Sequence, residues 1–116
     1  VRRYVEAVRR GDLVTLSIGG PYGKPRLALV LQSDAFAAIP SITLAPLTSD
    51  LIDAPLLRLT VEPTPANGLR AASQVMIDKV MTVPRGRVGD VIGQADAELL
   101  KGVRSALIGF LELAQD

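Results

Sequence analysis

Residues 12 to 93 fall into six short apolar-rich stretches, with glycine or proline in most of the gaps between them. Five of the six are seven or eight residues long, which is strand length rather than helix length. In DLVTLSIG (12–19), Leu13, Thr15 and Ser17 alternate with Val14, Leu16 and Ile18. RLALVLQS (26–33) is apolar almost throughout, the pattern of a strand buried on both faces. SITLAPLT (41–48) carries Pro46, which marks a bulge or an edge position. LLRLTVE (56–62) sets Leu57, Leu59 and Val61 against Arg58, Thr60 and Glu62. SQVMIDKVMTV (73–83) predicts one long, bent strand, and a short sixth strand follows near RVGDVIG (87–93). Before the third strand, DAFAAIP predicts one helical turn capped by Asp34 and stopped at Pro40.

The C-terminus has a different period. Apolar residues fall at Leu99, Leu100, Val103, Ala106, Leu107, Phe110, Leu111 and Ala114, the spacing of an amphipathic helix from Asp96 to about Gln115. Asp96 is placed to cap it. The expected fold is therefore mainly β with a C-terminal α-helix: a small β-barrel plugged or flanked by that helix. At 116 residues and 48% apolar content, one domain with a modest core is expected. Residues 2–9 (RRYVEAVR) suggest an N-terminal extension or one or two helical turns.

Composition removes most chemistries. The chain has neither histidine nor cysteine, so imidazole bases, thiolate nucleophiles and the usual zinc ligands are absent. The carboxylates are scattered, and no protein-held metal or other cofactor is expected. The loop GGPYGKP (19–25) lacks the phosphate-cradling P-loop pattern. Aromatics at 3% are too few for a base-stacking platform. No apolar run reaches the roughly 18–20 residues of a membrane span, and no secretory pattern opens the chain, so a cytoplasmic protein is expected.

Arginine and hydroxyl groups remain. Arg26 stands at the mouth of a buried strand, where a guanidinium can hold a phosphate through two parallel hydrogen bonds or simply pair with an acid. Thr48 and Ser49 end another strand, as phosphate ligands or as a turn cap. Net charge is only +1, but residues 1–30 carry six basic groups against two acids, and residues 67–92 carry four against two. These two segments could form one positive face.

The blocks RRGDLVTLSIG, GKPRLALVLQSD, ITLAPLTSD and SQVMIDKVMTVPRGRVGDVIGQ, followed by the helix, resemble the MazF/PemK toxins of type II toxin–antitoxin systems. The likeness covers about residues 9–114 and leaves 1–8 as an extension to a single toxin domain, 9–116. It implies a homodimeric plugged barrel that cuts single-stranded RNA without metal. The implied chemistry is attack by the RNA 2′-hydroxyl, leaving a 2′,3′-cyclic phosphate and a 5′-hydroxyl. The family's arginine falls on Arg26 and its threonine on Thr48, with Ser49 beside it. Lys24, Arg70, Gln74 and Arg85 are implied RNA contacts.

The resemblance also implies a cognate antitoxin with an acidic, flexible tail. The chain departs from the family pattern at Leu27, where proline often follows the arginine, at Pro21, where some members have glutamate, and at Ser73, where some have aspartate. Two other readings stay open: a non-catalytic gyrase poison of the same fold, resembling CcdB, and a small-barrel interaction module. The first depends on a tryptophan-containing tail that this chain lacks.

Overall fold

The computed structural model describes residues 8–17 and 26–114. Residues 2–7 of the expected N-terminal turns and the whole glycine-rich loop 19–25 lie outside them. Seven strands form one antiparallel sheet: β1 (Asp12–Leu16), β2 (Arg26–Val30), β3 (Ser41–Thr48), β4 (Arg58–Val61), β5 (Ser73–Met76), β6 (Met81–Pro84) and β7 (Val88–Gln94). The order is β4-β5-β3-β2-β1-β7, with β6 beside β3, and helix α1 (Ala97–Leu111) follows.

The strand expected at 73–83 is two strands. Three steps along β3, Leu44 to Leu47, face six along the opposite chain, Val75 to Met81. A 3-10 turn, Ile77–Lys79, absorbs the excess. It forms because Ile77 is fully buried while Asp78 turns to Arg58 on β4. The short 3-10 turn at Asp34–Phe36 is also not capped as expected. Ser33 is its cap, accepting from Ala35 N, while the Asp34 carboxylate accepts from Arg10 N at 2.8 Å.

Strand alternation builds a core on each face of the sheet. Val14, Leu16, Ala28, Val30, Ile42, Leu44, Val83 and Val88 pack on one side. Leu13, Leu29, Ala45, Leu47, Val75 and Ile77 pack on the other, where α1 adds Leu99, Leu100, Val103, Ala106 and Leu107. Burial on both faces explains the continuous apolar run in β2. Asp96 caps α1 by accepting from Leu99 N at 2.8 Å. The helix ends earlier than its apolar stripe. Glu112 turns left-handed (φ 57°), Leu113 N donates back to Ile108 O at 2.9 Å, and Phe110, Leu111 and Leu113 stay exposed.

No pairing joins β4 to β7 among the described residues, so the strands do not close into the hydrogen-bonded barrel expected from sequence. A turn bridges the gap instead. Asn67 Oδ1 accepts from Thr64 N and Leu69 N, and its Nδ2 donates to Glu62 O. The turn so fixed meets the end of β7, where Gln94 N donates to Ala66 O at 2.9 Å. Glycine is required here. Gly68 has φ +72°, and a Cβ on Gly93 would lie 2.3 Å from the Asn67 carbonyl carbon.

Candidate active site

The strand registers align one row of residues across the sheet. Leu16 on β1 pairs with Arg26 on β2. The β2–β3 register runs Val30 to Leu44, Leu29 to Ala45 and Ala28 to Pro46. Continued by two residues, it sets Arg26 opposite Thr48. Thr48 in turn pairs with Gln74 on β5, and Gln74 with Thr60 on β4. Directly opposed residues in an antiparallel sheet have Cα atoms about 4.5–5.5 Å apart. A guanidinium and a hydroxyl in that relation can reach one phosphate group together.

Alternation also fixes their side of the sheet. Leu27, Leu29, Ala45, Leu47 and Val75 face α1. Arg26, Thr48 and Gln74, one residue out of phase with these, face away from the helix. The helix therefore does not bury the row. Arg26 is exposed and Thr48 half-buried, so the polar pair lies where the apolar core of that face ends.

Thr48 Oγ1 accepts from Asp50 N at 3.0 Å, which turns the chain out of β3 and leaves the hydroxyl proton available to donate. Ser49 is exposed beside it. β3 and β4 both run antiparallel to the strand between them, β5, and are therefore parallel to each other. Residues 49–57 must accordingly cross over β5 to reach β4. Arg70 is exposed three residues before β5, at the same end of the sheet as Thr48. Lys24 lies outside the described residues.

Two of the expected RNA contacts are placed differently. Gln74 is 5% exposed, and its amide meets Ile52 of the crossover. Arg85 is also buried, with its Nε donating to Ile39 O at 2.6 Å and its Nη2 to Phe36 O at 3.3 Å. Pro84 pairs with Ser41, at the opposite end of β3 from Thr48. At about 3.3 Å per residue, that strand separates the two ends by roughly 23 Å. Within one chain Arg85 therefore braces the Asp34–Phe36 turn, far from Arg26. Among the described residues no three acidic side chains gather as a metal site, and no helix is long and apolar enough to cross a membrane.

The model of the PemK-like, MazF-like toxins of type II toxin–antitoxin systems matches residues 9–111. The chain belongs to this toxin family. A curated relative from Mycolicibacterium smegmatis, a probable endoribonuclease MazF, is 46% identical over 109 residues, spanning 92% of this chain and 99% of its own length. The MazE–MazF structure from Deinococcus radiodurans (form II) superposes with TM-score 0.80 at 26% identity, covering 97% of this chain and all of that one. The Mycobacterium tuberculosis toxin MazF-mt6 shares the fold, with TM-score 0.76 at 22% identity over 90% of this chain and 99% of that one.

Sequence reading of this MazF-like toxin missed the residues that secure the crossover. Arg58 pairs with Asp78 and also donates from Nη1 to Leu57 O at 3.4 Å, where the crossover enters β4. The only signal was Arg58 at an outward position of an alternating strand, which says nothing about a partner twenty residues on. The hydrogen bond from Arg58, aided by its charge, holds the Asp78 carboxyl below the usual carboxylate range. A lowered folded-state pKa adds stability above the unfolded carboxyl pKa of about 3.9, and loses it as pH falls through the folded value. Asp78→Asn should therefore lower the melting temperature at pH 7, and the gap to the wild type should narrow below about pH 4. Thermal melts across that range check this. A gap independent of pH would mean that the ion pair does not carry the effect.

Proposed function

We propose that this chain is a metal-independent endoribonuclease, the toxin of a toxin–antitoxin pair, acting on single-stranded RNA at the Arg26–Thr48 row. The observation that carries the reading is the β2–β3 register through Ala28 and Pro46, whose continuation by two residues brings Arg26 toward Thr48, on the face away from α1. Family membership and the name of the Mycolicibacterium smegmatis relative support it.

In the proposed reaction the RNA 2′-oxygen attacks the adjacent phosphorus and loses its proton. The bond from phosphorus to the 5′-oxygen breaks, and that oxygen gains a proton. The products are a 2′,3′-cyclic phosphate and a 5′-hydroxyl. Arg26 stabilises the charge building on the non-bridging oxygens and serves as donor toward the leaving oxygen. Its pKa, above about 12, makes it a poor base. Thr48 and Ser49 orient the phosphate and the attacking hydroxyl, and Lys24 and Arg70 hold flanking phosphates. Gln74 and Arg85, buried as they are, act on the shape of the protein rather than on RNA directly.

The remaining features follow the same reading. The partner is an antitoxin with an acidic flexible tail, in keeping with the MazE–MazF complex solved for the Deinococcus radiodurans protein. Its binding would weaken with salt. A second copy of the chain would cover the exposed end of α1 in a homodimer. The fold would work as a small plugged barrel, with the 64–68 turn standing in for pairing between β4 and β7. An RNA substrate of this kind places the protein in the cytoplasm.

Incubating the purified protein with single-stranded RNAs of varied sequence in EDTA, then mapping the new ends, tests the proposal. Cleavage leaving 5′-hydroxyl ends is expected. Absence of cutting, dependence on a divalent ion, or 5′-phosphate ends would overturn it.

A further inference from the structure

Gln74 lies in the middle of the row yet points at protein. Its Oε1 accepts from Ile52 N at 3.1 Å, and its Nε2 donates to Ile52 O at 3.0 Å and to Thr60 Oγ1 at 3.2 Å. One amide therefore takes both backbone groups of a single residue, as a neighbouring strand would. Ile52 is near the middle of the crossover. Other hydrogen bonds of this segment include Asp50 N on Thr48 Oγ1, Leu57 N and Arg58 N on Ala54 O, and Ile77 N and Arg58 Nη1 on Leu57 O. Because Gln74 pairs with Thr48, the clamp anchors the Ile52 peptide over the strand next to Thr48.

The clamped segment carries Leu51, Ile52 and Leu56, which are 51%, 51% and 82% exposed. Apolar side chains beside a phosphate-binding pair do not hold phosphate. They can pack against base faces and edges, which is where sequence is read in single-stranded RNA.

We propose that Gln74 is a positioning residue for RNA sequence preference: it fixes the 49–57 crossover so that Leu51, Ile52 and Leu56 select the bases next to the scissile phosphate. The inference rests on the nuclease reading above. It gives Gln74 a task through Ile52 rather than through contact with RNA.

The test compares the full-length wild type with Gln74→Leu, which removes both bonds at similar volume, and Gln74→Glu, which keeps the acceptor for Ile52 N and loses the donor to Ile52 O. Each is given a randomised single-stranded RNA pool, and cut sites are counted by sequencing. The kcat and KM values are then measured on one RNA containing the preferred wild-type site. For Gln74→Leu the expected result is a broadened set of cut sites and at least a tenfold lower kcat/KM at the preferred site, mainly through KM, with Gln74→Glu between the two. If Gln74→Leu does not fold, Gln74→Glu alone must still broaden the set. An unchanged set of sites overturns the inference, whether activity is intact or reduced uniformly through kcat, because a merely structural residue would give that pattern. Wild type that cuts no RNA overturns the nuclease reading and this inference with it. Wild type that cuts, with variants sharing its preference, overturns the inference alone.

Discussion

Arg26→Ala should lose about 10²- to 10³-fold in kcat on any RNA the wild type cuts, the usual effect of deleting one preorganised donor to a developing oxyanion. The side chain is exposed at the first position of β2. Its removal should therefore leave stability within about 0.5 kcal/mol, so lost activity cannot be attributed to unfolding. Arg26→Lys should recover little, because an ammonium cannot make the two parallel hydrogen bonds of a guanidinium. Thr48→Val should also reduce kcat. The double variant should lose less than the product of the single effects, since two groups on one phosphate act as a unit. Single-turnover cleavage of a defined RNA by the three variants and the double mutant checks this. Full activity in Arg26→Ala would remove the proposed site.

Gly93→Ala should be strongly damaging to the fold. A Cβ there would lie 2.3 and 2.4 Å from the Asn67 carbonyl carbon and oxygen and 2.6 Å from Ala66 O, so backbone must move. Moving it endangers the bond from Gln94 N to Ala66 O, which ties β7 to the 64–68 turn. Overpacking of about 1–3 kcal/mol and a lost hydrogen bond of about 1 kcal/mol predict a total near 2–4 kcal/mol. Gly86→Ala is the control, because its Cβ would meet nothing within 4 Å. Urea denaturation of the two variants beside the wild type measures the difference. Equal stability for the two would show that the seam tolerates displacement.

The strands and helix were legible because each keeps its own period. Short apolar stretches, alternating in β1 and β4 and continuous in β2, located β1 to β4 and β7 to within a few residues, and the 3.6-residue stripe located α1 together with its Asp96 cap. The long strand failed at Ile77–Lys79 because a bulging 3-10 turn there satisfies a buried isoleucine and an ion pair to another strand. Neither feature has a local signature. Asp34 looked like a cap because its type suits the role, but Ser33 holds the place and Asp34 answers a backbone amide 24 residues away.

The candidate site divides in the same way. Gln74 and Arg85 have the side-chain chemistry of RNA ligands, yet burial turns one toward Ile52 and the other toward the Asp34–Phe36 turn.

By itself the sequence determined which chemistry is open to this toxin, since a chain without histidine or cysteine must work with arginine and hydroxyls. It also determined which stretches are strands, because backbone period and side-chain burial are local properties. Only the tertiary structure decided that Thr48 and Gln74 pair across the sheet, with Arg26 likewise on the face away from the helix, and that a turn rather than a strand pair bridges the seam. Register is a relation between distant segments. A shift of one residue would have turned every one of those side chains to the other face.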